Sequence, residues 1–416
     1  MTDPANAKTK ATVECRICGG AVSEFFDFGR QPVSDSFVRP DSTGSEFFFR
    51  LAVGICTTCT MVQQVEEVPR QEMFHEDYPY RSSGSARIHD HFERVAGDLL
   101  DTELAGADPF IVEIGSNDGV MLKTIDKAGV RHLGVDPSKS VAEFAKADGV
   151  RVRIGFFDED SAAEIVAEDG PADVIFSANT TSHIPYLDSV FRGVDTLLAP
   201  GGVFVFEDRY LGDIVAQNAF DQIYDEHFYL FSAGSVKAMA ECFGFTLVDV
   251  EHVAVHGGAM RYTVARPGER TPTAMVGELV ARERTQGLAD PARYQRFASE
   301  VRDNCVALVD LLRKLRAQGR TVVGYGATAK SATVLNFCKI GPDLISYVCD
   351  STPAKQGRLT PGMHIPVKPS EAFSAPYPDY ALLLAWNHAD EIMTKELGFR
   401  EAGGQWILYV PDVHLT

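Results

Sequence analysis

Apolar residues fall in short runs along this chain, and from Pro109 onward those runs alternate with amphipathic stretches. Residues 110–114, 132–136, 150–154, 173–176 and 202–206 read as strands, and the stretches between them as helices. That rhythm predicts a parallel sheet covered by helices. A second alternation begins at 321–324 and runs through 345–350 and 380–384. Between the two, within 275–318, Cys305, Leu308, Leu311, Leu312 and Leu315 recur on one helical face, which predicts helices there. A further helix is expected over 87–100. Ahead of it, 47–49 and 61–63 read as strands of a smaller module, joined to the rest by a tyrosine-rich loop, 78–85. The pattern predicts two α/β domains linked by helices and preceded by a small module.

At 416 residues the chain exceeds what one core usually holds, and 45% hydrophobic residues supply sizeable cores. No apolar run approaches the ~20 residues of a membrane span, and the polar opening, 1–10, does not read as a signal peptide. A soluble, cytoplasmic protein without a membrane partner is expected. A formal charge of -19 disfavours a long nucleic-acid interface, which needs a cationic surface, but leaves room for a local diphosphate site. Nothing in the pattern demands more than a monomer.

Candidate chemistry begins with Cys15-x-x-Cys18 and Cys56-x-x-Cys59. Two residues between thiolates let both sulfurs of a knuckle reach one tetrahedral metal at ~2.3 Å, and zinc is the expected ion. Four thiolates leave no open coordination position, so the zinc is expected to be structural. Disulfides or a redox pair are the alternative. The remaining cysteines, Cys242, Cys305, Cys338 and Cys349, stand in apolar contexts expected of buried free thiols.

Two glycine-rich turns follow. Glu113-Ile-Gly115-Ser-Asn117-Asp-Gly119 leaves a strand and opens a helix, and Asp136 ends the next strand, placed to bind both hydroxyls of a ribose. The pattern fits a dinucleotide or S-adenosylmethionine. Asn117 in place of the middle glycine weakens the pyrophosphate reading, and Leu197-Leu198-Ala199-Pro200-Gly201-Gly202 before a strand favours S-adenosylmethionine. The second turn, Gly324-Tyr-Gly326-Ala-Thr-Ala329, with Asp350 twenty-one residues on, taken alone suggests NAD. Lys330 and Ser331 add a cation and a hydroxyl suited to phosphates, so a diphosphate other than NAD, or a vestigial element, remains open.

Between the turns, Tyr224-Asp225-Glu226-His227-Phe228-Tyr229 packs five ionisable or hydroxyl-bearing side chains into six positions, a density hard to explain as core. His227 suits a general base, with Glu226 orienting it or sharing the proton traffic. His183 follows the fourth predicted strand, so it and Tyr224 are expected to face one crevice at the carboxyl ends of the strands.

The four cysteines, Glu113 to Gly119, His183-Ile184-Pro185, the run from Tyr224 to Ser232, His256-Gly257-Gly258, Gly324 to Ser331 and Trp386-Asn387 come in one order. That order resembles, over nearly the whole chain, the deoxysugar C-methyltransferases of antibiotic biosynthesis, which place a branching methyl on a dTDP-linked 4-keto-deoxysugar. It is most similar to the 3-C-methyltransferases that act toward tetronitrose or mycarose. The resemblance implies a zinc-binding module (1–78), a central Rossmann-like S-adenosylmethionine domain (79–270), and a helical linker with a C-terminal Rossmann-like domain (271–416) that holds the sugar nucleotide without NAD. It implies His227 as the base that removes the sugar's third-carbon hydrogen, supported by Glu226, with Tyr78, His183 and Tyr224 around the sugar. Glu113, Gly115, Asn117, Gly119, Asp136, Asp158 and Asn179 are the expected cofactor contacts, and Tyr80, Lys330, Ser331 and Asp350 the expected substrate contacts. A competing enzyme reading is an NAD-dependent dehydrogenase or epimerase using the second turn. A zinc-ribbon interaction protein is the non-enzymatic alternative, disfavoured by the acidic charge and the Tyr224–Tyr229 cluster.

Overall fold

The five apolar runs of the first alternation form parallel strands because both faces of their sheet are covered, so continuous burial rather than alternation is what the sequence must supply. Phe110–Ile114 is buried at every position. A computed structural model describes residues 13–42, 44, 46–73, 82–374 and 376–416. In it the central sheet has seven strands, ordered Thr246–Val253, Ala259–Ala265, Leu198–Arg209, Ala172–Ala178, Phe110–Ile114, Arg131–Asp136 and Val152–Ile154. The last five are parallel to one another, and the first two form an antiparallel hairpin at the edge. The chain enters at Phe110–Ile114, builds toward one edge, and then crosses to Ala172–Ala178 on the other side. The carboxyl ends of these two neighbours therefore flank a topological switch point, where open α/β sheets hold ligands.

The second alternation makes a six-stranded sheet ordered Val367–Pro369, Val348–Asp350, Val322–Tyr325, Tyr380–Leu383, Gln405–Leu408 and His414–Leu415, parallel except for the last strand. Its switch point lies between Val322–Tyr325 and Tyr380–Leu383. The third sheet is antiparallel and has five strands: Val13–Glu14, Ala21–Pro32, Phe48–Cys56, Val62–Gln64 and, from far along the chain, Tyr229–Leu230.

Packing ties these sheets together. One core cluster joins Phe25, Phe28 and Val53 of the N-terminal sheet to Tyr294, Leu308 and Leu312 of the helix Pro291–Ala317 and to Val322 and Leu382 of the C-terminal sheet. A second joins Cys15, Cys56 and Cys59 to Phe204 and Phe206 of the central sheet. The long helix starts cleanly because Asp290 accepts a hydrogen bond from the Ala292 N–H and Pro291 occupies its first turn.

Several expectations are refined. Leu198–Arg209 runs beyond the predicted 202–206, since its end carries the buried pair Glu207 and Asp208, which an apolar pattern does not register. Leu311 lies at the rim of its helix face while Cys305, Leu308, Leu312 and Leu315 are buried. Cys242 is exposed, near the C-terminal end of a helix, so it is not the buried thiol its neighbours suggest.

Candidate active site

Cys56 ends the strand Phe48–Cys56, and the turn after it returns Cys59 beside it, with Cys15 and Cys18 approaching from the other knuckle. Cys15 Sγ lies 3.6 Å from Cys59 Sγ, and Cys18 Sγ 3.5 Å from Cys56 Sγ. A disulfide needs about 2.05 Å, whereas sulfurs at the corners of a tetrahedron with ~2.3 Å metal bonds stand about 3.8 Å apart. All four ligand atoms lie within 4.8 Å of one another. The donor set fits structural zinc, with every position of the metal taken.

At the carboxyl ends of the central strands, a cavity of about 830 Å³ is lined by Glu113, Gly115, Asn117, Asp136 and Asn179, by His183, Tyr224, Glu226 and His227, and by Lys330 and Asp350. One cavity thus gathers residues from both parallel sheets and from the segment joining them. Gly119, Asp158 and Ser331 are not part of its wall. At Gly119 an added Cβ would meet Ala145 and Val150 at 3.1 Å, so this glycine serves helix packing. The Asp158 carboxylate caps the helix Glu159–Asp169 through the Ser161 N–H, while Phe156 and Phe157 line the cavity beside it. Ser331 is buried, its hydroxyl donated to the Thr328 carbonyl at 2.6 Å. Tyr78 and Tyr80 lie outside the described residues.

The end of the cavity at the central sheet is built by close approach. Gly115 has φ +73°, and any Cβ there would come within 2.2 Å of the Thr180 hydroxyl, so only glycine lets the two loops meet. The Asp136 carboxylate accepts from the Asn117 and Ser138 N–H groups, each at 2.8 Å, which fixes its orientation at the strand end. Glu113 is buried, and its Oε2 has no hydrogen-bond partner among the described residues. Burial, with Asp136 and Asp118 nearby, holds its carboxyl well above the usual carboxylate range. An orphaned buried oxygen in the wall of a cavity is what a ligand donor would satisfy. The loop Ser82–Gly84 closes over this turn: the Ser82 N–H donates to Asn117 Oδ1 at 3.0 Å, and the Ser83 hydroxyl to Asp118 Oδ2 at 2.5 Å.

His227 is almost fully buried yet faces the cavity. Its Nδ1 lies 2.6 Å from the Gln222 carbonyl, an acceptor only, so Nδ1 carries the proton and Nε2 is the free base. The imidazole is thus oriented through a backbone carbonyl, with Glu226 a neighbour in the cavity wall. Burial first, then the Arg209 charge, the neighbouring His183 imidazole and Lys330, push its pKa well below the ordinary value. His183 stands 5.3 Å away ring to ring, its own pKa pushed down to about 3 by burial and then Arg209. Its turn is anchored by Asp208, which accepts from the Ser182 N–H at 3.1 Å and hydroxyl at 2.6 Å. The Tyr224 ring lies 4.2 Å from that of His227, and burial keeps its hydroxyl protonated as a donor.

Arg209 escaped the sequence reading. It ends the strand Leu198–Arg209, lines the cavity, donates from Nε to Gln222 Oε1 at 3.2 Å and from Nη1 to Asn179 Oδ1, and leaves Nη2 with no hydrogen-bond partner among the described residues. The signal available was its position at a strand's carboxyl end, directly after two acids, but a lone arginine there reads as an ordinary surface cation. His256 was likewise given no role. It lines the cavity, and its carbonyl accepts from Gln222 Nε2 at 3.1 Å.

On the other side, Asp350 repeats the geometry of Asp136, accepting from the Ala327 and Thr352 N–H groups at 2.7 Å each. Lys330 is buried, donates from Nζ to Asn387 Oδ1 at 2.6 Å, and lies 4.1 Å from the centre of the Trp386 ring. Burial pushes its pKa down to about 8, against the pull of Asp221. The loop that carries His256 comes close enough to touch this wall: a Cβ at Gly257 (φ +87°) would strike the Trp386 ring at 2.6 Å.

The fold, with its two mirrored acid-and-glycine sites and its zinc-binding module, fits an S-adenosylmethionine-dependent methyltransferase, and the family matches show that class. Family profiles match in series: "Putative zinc binding domain" over residues 15–74, "Methyltransferase domain" over 87–250 and "C-methyltransferase C-terminal domain" over 254–411. The chain is 34% identical over 405 residues, 96% of each protein, to the C-methyltransferase NovU of Streptomyces niveus. It belongs to the C-methyltransferase family. A 98-residue stretch, 23% of the chain and 41% of the relative, is 30% identical to a ubiquinone biosynthesis O-methyltransferase of Ralstonia nicotianae. Among solved structures, a SAM-dependent methyltransferase from Anabaena variabilis aligns at 20% identity and a TM-score of 0.34, over 42% of this chain and 84% of its own. No described helix is long and apolar enough to cross a membrane.

Proposed function

We propose that this enzyme transfers a methyl group to the third carbon of a dTDP-linked 4-keto-deoxysugar, with Asp136 and its glycine turn holding S-adenosylmethionine and Asp350 with Lys330 holding the sugar nucleotide. The observation that carries the reading is the shared cavity: a neutral, oriented imidazole stands in a wall to which two ribose-type acids from two different sheets contribute. One acid suits the adenosine of the cofactor and the other the nucleoside of the acceptor. The dehydrogenase alternative leaves the first site without a purpose.

The ketone at the sugar's fourth carbon acidifies the neighbouring C–H. His227 Nε2 takes that proton, and the electron pair of the broken C–H bond moves into an enolate whose charge sits on the fourth-carbon oxygen. Arg209 Nη2 and the Tyr224 hydroxyl are the donors this cavity offers to that oxygen as its charge appears. S-adenosylmethionine held beside Asp136 and Glu113 would supply an electrophilic sulfonium methyl for the enolate carbon, its sulfur keeping the bonding pair. His183, held neutral by burial, adds a polar but uncharged wall.

The direct test is incubation with S-adenosylmethionine and a dTDP-4-keto-2,6-dideoxyhexose, with and without a 3-amino group, followed by mass measurement. A gain of one methylene on either compound is expected; no gain on either, with both cofactors bound, refutes the substrate class.

Asp136→Ala should weaken cofactor binding by about 10- to 100-fold, the loss of hydrogen bonds to a charged acceptor, and leave sugar-nucleotide affinity nearly unchanged. Lys330→Ala should do the reverse. Calorimetric titration of each ligand checks both; equal losses in either variant would rule out the division between the two sheets.

Arg209→Gln should move the acid limb of the kcat/KM profile to higher pH. Its positive charge disfavours the imidazolium, so removal raises the His227 pKa; burial remains the larger cause, so the limb should stay below the ordinary ~6.5 of histidine. An unmoved limb would separate Arg209 from the base.

A further inference from the structure

We infer that Gln64, in the zinc-stapled module, is a positioning residue for the catalytic segment, so that the module sets where the base stands. Gln64 closes the strand Val62–Gln64 and is only 1% exposed. Its Nε2 points its two N–H groups at three carbonyls, one hydrogen being shared: Tyr224 at 2.7 Å, Asp225 at 3.1 Å and His227 at 3.0 Å; its backbone N–H donates to the Phe228 carbonyl at 2.8 Å. One residue therefore takes four of the five carbonyl oxygens from 224–228. Three acceptors around Nε2 also fix which end of the amide is the donor.

Two further ties come from the same module. Ser34 N–H donates to Asp225 Oδ1 at 3.0 Å, and Tyr229–Leu230 pairs with Gln63 and Val62. The segment has little regular structure of its own: between the turn Phe220–Gln222 and Tyr229–Leu230 its backbone polar groups have no helix or sheet ladder to enter. Buried carbonyls need partners, and here a neighbouring module provides them. His227 is in turn aimed by the Gln222 carbonyl a few residues away, so the place of 224–228 decides where Nε2 lies.

The kinetic part of this inference rests on His227 being the base, and the structural part does not. Gln64→Met keeps the side chain's length and loses its donor. It should slow exchange of the sugar's third-carbon hydrogen by about 100-fold, the scale of a 1 Å misplacement, with S-adenosylmethionine affinity and zinc content unchanged. Nitrogen-15 spectra of histidine-labelled protein, without substrate, should show His227 losing its single Nδ1–H form, and amide exchange should quicken at 225–230. A wild-type His227 spectrum together with an exchange rate within about threefold of wild type would overturn the inference. An altered spectrum with unchanged sugar exchange would uphold the positioning and refute His227 as base. Should Gln64→Met lose zinc, Gln64→Asn, which keeps the donor but draws it back by one methylene, carries the same test with the same two outcomes.

Discussion

His227→Asn should reduce methyl transfer and third-carbon hydrogen exchange by about 100- to 10,000-fold, the range a positioned general base contributes. Asparagine fills much of the same space and can keep a donor toward the Gln222 carbonyl, so the segment should hold its place while the basic nitrogen is lost. Cofactor affinity should stay within about twofold, since Asp136 and Glu113 are untouched. The exchange is read by proton NMR of the sugar nucleotide in deuterium oxide without cofactor turnover. Full exchange in the variant would place the base elsewhere, with His183 the next imidazole in the wall.

Removing the metal should have the second large effect. Structural zinc contributes roughly 10–16 kcal/mol in small zinc peptides, comparable to or above the ~5–15 kcal/mol that holds a typical domain folded. Cys15, Cys56 and Cys59 also sit in the core shared with the central sheet, so the apo protein should lose more than a surface loop. Strong chelation, or Cys56→Ser, should abolish the module's cooperative unfolding and all activity, while the central sheet alone sets what cofactor binding survives. A fully active, equally heat-stable protein with less than about one tenth of an equivalent of zinc would contradict the tetrathiolate reading. A mass lower by the hydrogens of two disulfides would favour the alternative pairing.

Much of the parallel framework was legible because fully buried strands announce themselves as short apolar runs and their turns as glycine clusters. Glu113, Gly115, Asn117 and Asp136, which line the cavity, stood out by that logic, since a ribose acid must follow a glycine turn by about one strand–helix–strand step. The hairpin Thr246–Val253 and Ala259–Ala265 was not, because it mixes charged residues such as Asp249, Glu251 and Arg261 into a half-covered edge. Ala21–Pro32 was hidden by Asp27, Gly29 and Arg30, where the register with its neighbour shifts. Ser331 and Asp158 looked like ligand contacts by position along the chain, yet a hydroxyl bonded to the turn three residues back and a carboxylate capping a helix are local solutions to backbone demand.

What sequence could not supply was proximity across the chain. Gln64 reads as an unremarkable polar residue at a strand end, and its four partners lie some 160 residues away. Arg209 gains meaning only when Gln222, Asn179 and two histidines fold around it. Density of polar residues did mark Tyr224–Tyr229, but only three of those six, Tyr224, Glu226 and His227, reach the cavity. Asp225 turns to Ser34, and the Tyr229 hydroxyl is donated to the Pro185 carbonyl at 2.8 Å, tying the segment to the loop that carries His183.

Membership of the C-methyltransferase family makes carbon the acceptor atom, so which carbon of the acceptor receives the methyl is the central question. Carbon-13 methyl-labelled S-adenosylmethionine and the keto-sugar nucleotide, analysed by carbon NMR of the product, answer it directly. The expected signal is a methyl attached to a quaternary carbon, coupled to the third carbon of the sugar. A labelled methyl on oxygen or nitrogen would contradict the enolate account, whatever the rate at which it formed.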